Sequence, residues 1–353
     1  MITKVGVKNF KCLRDVTVDL ERFTVFVGAN GSGKTSFLQA LDLLCRTFRS
    51  QNQDHEGEYI QQRSFGVTEP VELGCRVGDT HFRYRTRPPA SQLQPHRREP
   101  EWDGGGAGFT PDGPQLNWRQ WQAQPGVLPN PVWLRLDPNA LRNAAPTHNG
   151  FGGGGFSGQQ SDPRIMQPNG QGLHAATAAM NLEDPDLWLK LQDDLRRIVP
   201  AVRRLRHTPQ NELLFDTVNG KGLKATQISE GTLLTLGLLT AIHGVNKPGV
   251  LLLDDLDRAL HPKAQRELID LLRGVQATNP EIQIVGSTHS PYLLDRMEPN
   301  EVLVTSLRED GSTACEPLTR HPKFEKWKDE FHPGEMWGVF GETWVTELEA
   351  VSK

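Results

Sequence analysis

The sequence predicts an α/β fold with a mixed central sheet flanked by helices. Three stretches carry that reading. First, the apolar, partly β-branched run Phe23-Thr24-Val25-Phe26-Val27 leads into Gly28-Ala29-Asn30-Gly31-Ser32-Gly33-Lys34-Thr35, and a helical pattern follows (Phe37, Leu38, Leu41, Leu43, Leu44). This is strand, tight loop, helix. Second, Val250-Leu251-Leu252-Leu253 is apolar on both faces, as the centre of a parallel sheet requires, and it ends in Asp254-Asp255. Third, Ile282-Gln283-Ile284-Val285 supplies another strand and runs into Gly286-Ser287-Thr288-His289-Ser290-Pro291.

The remaining elements fall into place along the chain. Residues 2–27 read as an N-terminal antiparallel β region, with Val5, Val7, Phe10, Leu13, Val16, Val18 and Leu20 spaced for one buried face. The helix after the Gly-rich loop extends to about Phe48. Residues 51–66 are polar and receive no assignment. Residues 68–87 form a hairpin: Val71, Leu73 and Cys75 alternate, Gly78-Asp79 turns, and Phe82 and Tyr84 return. An N-terminal lobe therefore covers residues 1–87.

Residues 88–172 hold 13 prolines and 14 glycines and read as a partly ordered Gly/Pro-rich insertion. Gly104-Gly105-Gly106 and Gly152-Gly153-Gly154-Gly155 are its hinges or tips, and Trp133-Leu134-Arg135-Leu136 is its best strand. Trp118 and Trp121 are spaced to share a helix face. Such a loop is either a plain insertion or a surface for a partner or nucleic acid.

Residues 173–353 read as a helical region followed by a C-terminal lobe. Asp184-Pro185 caps a helix through Leu187, Leu189, Leu191 and Leu195 to Ile198. Arg196, Arg197, Arg203, Arg204 and Arg206 form the most basic patch, either a solvated face or a phosphate contact. Leu213-Leu214-Phe215 is a short strand. Ser229 is a natural N-cap for the apolar helix that follows Glu230-Gly231. After His261-Pro262 a helix runs from about Lys263 to Val275. The tail aromatics Trp327, Phe331, Trp337, Phe340 and Trp344 suit either core packing or an interface.

Bulk properties narrow the classes. A net charge of -4, with 39 basic residues, excludes a uniformly basic nucleic-acid glove and leaves room for a local basic face. Cys12, Cys45, Cys75 and Cys315 form no C-x-x-C pair, which argues against zinc and against a disulfide framework and fits a reduced, cytosolic protein. No apolar run approaches the roughly 18 residues of a membrane span, and the N-terminus lacks a signal-peptide core.

The chemistry follows from residue types. Residues 28–35 fit G-x-x-x-x-G-K-[ST], the phosphate-binding P-loop. Its glycines let backbone N–H groups wrap a phosphate, and the following helix aims its positive end at the same anion. Lys34 is expected to reach the β/γ-phosphates, and Thr35 to hold Mg²⁺ through its hydroxyl. Carboxylates at a strand's C-terminal end face the ligand crevice of such sheets. Asp254 is therefore the second expected Mg²⁺ ligand, and Asp255 the group that orients or deprotonates the attacking water. His289, beyond the end of another strand, is placed to bond a γ-phosphate oxygen.

In this order, P-loop, S-x-G before a helix, Asp-Asp at a strand end and S-T-H-S-P, the sequence resembles the ABC-type ATPases. More narrowly it resembles the RecF/SMC/OLD-like group of AAA ATPases. The resemblance covers about 45 residues of the N-terminus and about 65 more in the segments ISEGTLLTLGLLTAI, LLLDDLDRALHP and STHSPYLLD. It implies a P-loop NTPase fold of ABC-ATPase type that binds ATP and Mg²⁺ through Asn30, Gly31, Ser32, Gly33, Lys34, Thr35 and Ser36. It also implies an ATP-dependent homodimer or higher oligomer, in which Ser229, Glu230 and Gly231 of one copy complete the other's site. Relatives usually carry Glu at the position of Asp255, and many carry Glu at that of Asp257; the shorter Asp implies slow turnover. The group's lobe-I glutamine has no motif match here, Gln61 and Gln62 being the nearest candidates.

No heptad arm is present, and no acidic nuclease cluster follows Asp255. Small members of the group serve anti-phage systems of Septu and retron type, which implies a regulatory ATPase with a separately encoded effector such as a nuclease. The alternative partner is DNA itself, bound as RecF-like repair proteins bind it. A transporter subunit is disfavoured by the opening KNFKCL and by His261-Pro262.

Overall fold

The computed structural model describes residues 1–49, 61–86, 101–103, 128–143, 165–244 and 249–351. Residues 51–60, Trp118, Trp121 and the two glycine runs of the insertion lie outside these. In chain order the strands are β1 (Ile2–Phe10), β2 (Leu13–Asp19), β3 (Phe23–Gly28), β4 (Glu72–Val77), β5 (Thr80–Arg85), β6 (Glu101–Asp103) and β7 (Pro131–Leu134). They continue with β8 (Val202–His207), β9 (Leu213–Thr217), β10 (Gly220–Lys224), β11 (Val250–Leu253), β12 (Gln283–Thr288), β13 (Val302–Leu307) and β14 (Thr313–Pro317). Contacts divide the chain into two units. The first is Met1–Trp133, Gly249–Leu256 and Gln276–Lys353; the second is Leu134–Pro248 and Asp257–Val275.

The first unit holds two sheets. An antiparallel sheet runs β2-β1-β4-β5-β6, and a mixed sheet runs β14-β13-β3-β12-β11-β7. In the mixed sheet β11, β12, β3 and β13 are mutually parallel, while β14 returns antiparallel to β13. Period-2 burial of β1 and β2 matches their alternating sequence, and β3, β11 and β12 are buried at every position. Helix α1 (Lys34–Arg49) packs Phe37, Leu38, Leu41 and Leu44 into a core shared with Val5, Val7, Leu73, Val250 and Val285. The predicted hairpin is present, pairing Val77 with Thr80 around Gly78-Asp79. Of the tail aromatics, Trp344 is buried, and Phe340 stacks on His321 with ring centroids 4.4 Å apart.

One buried side chain ties the two sheets of this unit together. Gln283, at the start of β12, accepts from the Ile2 N–H at 2.9 Å. Its amide donates to the Ile2 carbonyl at 2.7 Å and to the Glu21 carbonyl at 2.9 Å. The first residue of β1 and the segment entering β3 are thus held by a strand 281 and 262 positions away. The sequence does not display this role, because a glutamine in an apolar strand looks like an interruption.

The second unit gathers helices α2 (Leu173–Glu183), α3 (Pro185–Ile198), α4 (Glu230–His243) and most of α5 (Pro262–Thr278) with the antiparallel sheet β10-β9-β8. Asp184 caps α3 as its sequence predicts, accepting from the Leu187 N–H at 3.0 Å. The basic patch is substantially paired. Arg197 meets Glu267 at 3.1 Å, Arg196 contacts Asp193, and Arg206 grips Asp216 with two nitrogens at 2.7 and 3.0 Å.

His174 is buried in this unit, and His207 is half-buried. His174 Nδ1 accepts from the Leu213 N–H at 3.1 Å, and His207 Nε2 lies 3.1 Å from Thr177 Oγ1 with its ring against Trp188. Burial, and secondarily the charge of His174, hold the His207 imidazole down at about 4; burial also lowers His174.

Two stability predictions follow from these packings. Gln283→Ala removes three hydrogen bonds to the backbone of Ile2 and Glu21 and should cost about 2–4 kcal/mol, read as a lowered denaturation midpoint. For His207, the unfolded chain takes up a proton below about pH 6.5, whereas the folded ring does not until about 4. Stability is then full above pH 6.5 and is lost as pH falls toward 4. The urea midpoint should drop between pH 7.5 and pH 5, and His207→Phe should flatten that dependence.

Candidate active site

Parallel register brings the predicted catalytic segments to one edge. Leu253 pairs with Gly286, and Thr288 pairs with Val27, so β11, β12 and β3 end together. Asp254-Asp255, His289 and the P-loop emerge from those three ends, as expected of an α/β crevice.

Within this cluster the contacts are specific. Thr35 Oγ1 donates to Asp254 Oδ1 at 3.0 Å, although the two residues are 219 positions apart. Ser287 Oγ donates to the same oxygen at 2.6 Å and accepts from the Asp255 N–H at 2.9 Å. The Leu256 N–H then donates to the Ser287 carbonyl at 2.9 Å. Ser287, fully buried, therefore fixes both carboxylate-bearing residues. The motif around this serine assigns it no role; the one signal is a hydroxyl inside a strand buried at every position.

Asp255 is exposed and has φ 53°, a left-handed conformation that Asp tolerates better than most residues. His289 is half-buried just past β12. Lys34 is 5 % exposed, and its ammonium donates to the Gly28 and Ala29 carbonyls at 2.9 and 2.8 Å. Asn30 and Gly31 form the exposed tip of the loop, Ser32 and Gly33 are buried, and Thr35 and Ser36 occupy the first turn of α1.

The loop fits a phosphate, and the site fits a divalent cation. Gly28, Gly31 and Gly33 all have positive φ, which lets successive N–H groups turn inward. A Cβ at Gly33 would lie 2.3 Å from Thr313 Oγ1, so only glycine permits this wall. The Thr35 hydroxyl beside the Asp254 carboxylate is a hard-oxygen donor set of the kind Mg²⁺ takes.

Ser229-Glu230-Gly231 belongs to the second unit, and the cluster to the first. Ser229 is exposed and caps α4, its Oγ accepting from the Thr232 N–H at 3.4 Å. Glu230 pairs with Arg258 at 3.1 Å, and a Cβ at Gly231 would lie 2.4 Å from the Ala259 carbonyl oxygen. Gln61 is exposed, while the Gln62 carbonyl accepts from the Lys11 N–H at 2.7 Å.

Two segments of the chain match models of known families. Residues 1–75, which include the P-loop, match the family model "AAA ATPase domain". Residues 169–295, which include Ser229, Asp254 and His289, match "AAA domain, putative AbiEii toxin, Type IV TA system". The chain is 26% identical to the OLD nuclease of Thermus scotoductus over 90% of its own length and 66% of that relative's. It is 36% identical to the Septu protein PtuA of Bacillus thuringiensis over 70 residues, 20% of this chain and 17% of PtuA. The Retron Vc95 probable ATPase of Vibrio cholerae is 23% identical over 35% of this chain and 27% of its own length. The chain thus spans less than two thirds of each of these relatives. Among solved structures, an Smc head bound to the C-winged helix domain of ScpA superposes with a TM-score of 0.57 at 16% identity, covering 92% of this chain and 99% of that one. That likeness fixes the fold. The two family matches, both to AAA-type ATPase domains, identify an ATPase, and its fold is that of an ABC-type head.

Proposed function

We propose that the chain binds ATP between two copies of itself, and that hydrolysis separates them in a cycle that controls a separately encoded nuclease in bacterial anti-phage defence. The observation that carries this reading is the convergence of Thr35 and Ser287 on the Asp254 carboxylate at the mouth of the P-loop, with Ser287 also holding the Asp255 N–H. The loop N–H groups and Lys34 would bind the phosphates, with Asn30 to Ser36 lining them. Thr35 and Asp254 would hold Mg²⁺, which when bound neutralises charge on the phosphate oxygens. Asp255 would orient the attacking water and take its proton, and His289 would hydrogen-bond the γ-phosphate. A second copy would present Ser229 and the Gly231 N–H from the start of α4, where the helix favours an anion. ATP then acts as the joint, and its cleavage biases a two-state dimer.

The setting is drawn from the relatives, among them a Septu protein and a retron-associated ATPase. Direct DNA binding is the weaker reading, because the arginine patch already spends Arg196, Arg197 and Arg206 on carboxylates. Arg203 and Arg204 are exposed, as is the paired Arg197.

Two experiments separate the parts of this proposal. Lys34→Ala should abolish ATP binding in equilibrium titration. Asp255→Ala should retain binding, lose hydrolysis by a factor on the order of 100 or more, and accumulate an ATP-dependent dimer by light scattering. Wild-type turnover in Asp255→Ala would overturn the catalytic assignment. For the partner, tagged protein expressed with its neighbouring genes should retain a nuclease through purification. Salt-dependent binding of duplex DNA by the isolated protein would favour the DNA reading instead.

A further inference from the structure

The P-loop is braced from behind by the β13–β14 hairpin. Thr305 on β13 and Ser32 in the loop face each other hydroxyl to hydroxyl at 2.6 Å, across 273 residues of sequence. Thr305 Oγ1 also donates to the Val27 carbonyl at 3.1 Å. With its proton given to Val27, Thr305 must accept from Ser32, so the direction of the pair is set. The Thr305 carbonyl lies 2.1 Å from where a Cβ on Gly28 would be. On the next strand Thr313, 1% exposed, closes against Gly33, and its N–H donates to the Cys12 carbonyl at 2.8 Å.

The hairpin thus touches the first, fifth and sixth residues of the loop. Thr305 itself cannot drift. It pairs with Gly28 on one side and with Cys315 on the other, inside the sheet. The loop, by contrast, carries three glycines in left-handed conformations and would pay a large ordering cost if nothing held it. A phosphate cradle gains affinity when its donors are already aimed before the ligand arrives.

We propose that Thr305 is a positioning residue for the nucleotide: through Ser32 it holds the P-loop in its phosphate-binding curvature. The role rests on the reading of this loop as the ATP site. Thr305→Ser and Thr305→Ala both lose the methyl group and differ from one another only in the hydroxyl. ATP affinity and steady-state hydrolysis are measured for wild type, both variants and Lys34→Ala, with melting curves to confirm that each is folded. Thr305→Ser should bind ATP within about twofold of wild type, and Thr305→Ala about tenfold more weakly, as loss of one buried hydrogen bond implies. The loss should appear in KM, with kcat changed less than about threefold, which general destabilisation would not produce. Equal affinity in the Ser and Ala variants overturns the proposal. Equal affinity in wild type and Lys34→Ala would instead overturn the ATP-site reading beneath it.

Discussion

The Asp254 carboxylate is the meeting point of the first unit's chemistry. It takes hydrogen bonds from two hydroxyls, Thr35 at the start of α1 and Ser287 near the end of β12. Neither contact survives a slip in strand register, because moving a strand by one residue turns its side chains to the other face. The parallel pairing of β11 with β12 and of β12 with β3 must therefore be correct before any of these groups can meet. That pairing rests in turn on apolar strands buried on both faces, and on Gln283 anchoring the N-terminal strand to the same sheet. Core and site are one construction here, with the hydrophobic runs setting the register and the polar residues at their ends using it.

Much of this was legible in the sequence, for identifiable reasons. The strand–loop–helix unit around Lys34 announces itself, because its glycines, its lysine and its flanking patterns all serve a single local structure. Val250–Leu253 with its terminal aspartates is equally local. The predicted cap Asp184, the cap Ser229 and the Gly78-Asp79 turn are local as well. What escaped reading depends on contacts between distant segments. Ser287 looks like a polar residue in a strand, Thr305 like a β-branched filler, and Gln283 like a defect. Each acquires meaning only from a partner between 32 and 281 residues away. Strands β8, β10, β13 and β14 were missed too; β8 and β10 alternate charged with apolar residues weakly, so their period-2 signal is faint.

The arginine patch shows how a composition signal is rewritten by the fold. Five arginines within eleven positions read as either a solvated face or a phosphate contact. The structure gives Asp193, Glu267 and Asp216 to three of them. The Arg206–Asp216 pair is two-pronged, and the Gly222 N–H adds a third bond to the same carboxylate at 2.8 Å. Arginine here stitches a small sheet together across β8 and β9, a use for which its planar fork is well shaped.

The lysine of the P-loop is not waiting empty-handed. Its ammonium rests on two carbonyls of its own loop, Gly28 and Ala29. A phosphate must therefore outbid contacts the protein already owns, and the net gain is the difference between the two. In the proposed ATP site the ammonium would trade these two neutral carbonyls for charged phosphate oxygens, so its place in the loop is set by the backbone before any phosphate arrives.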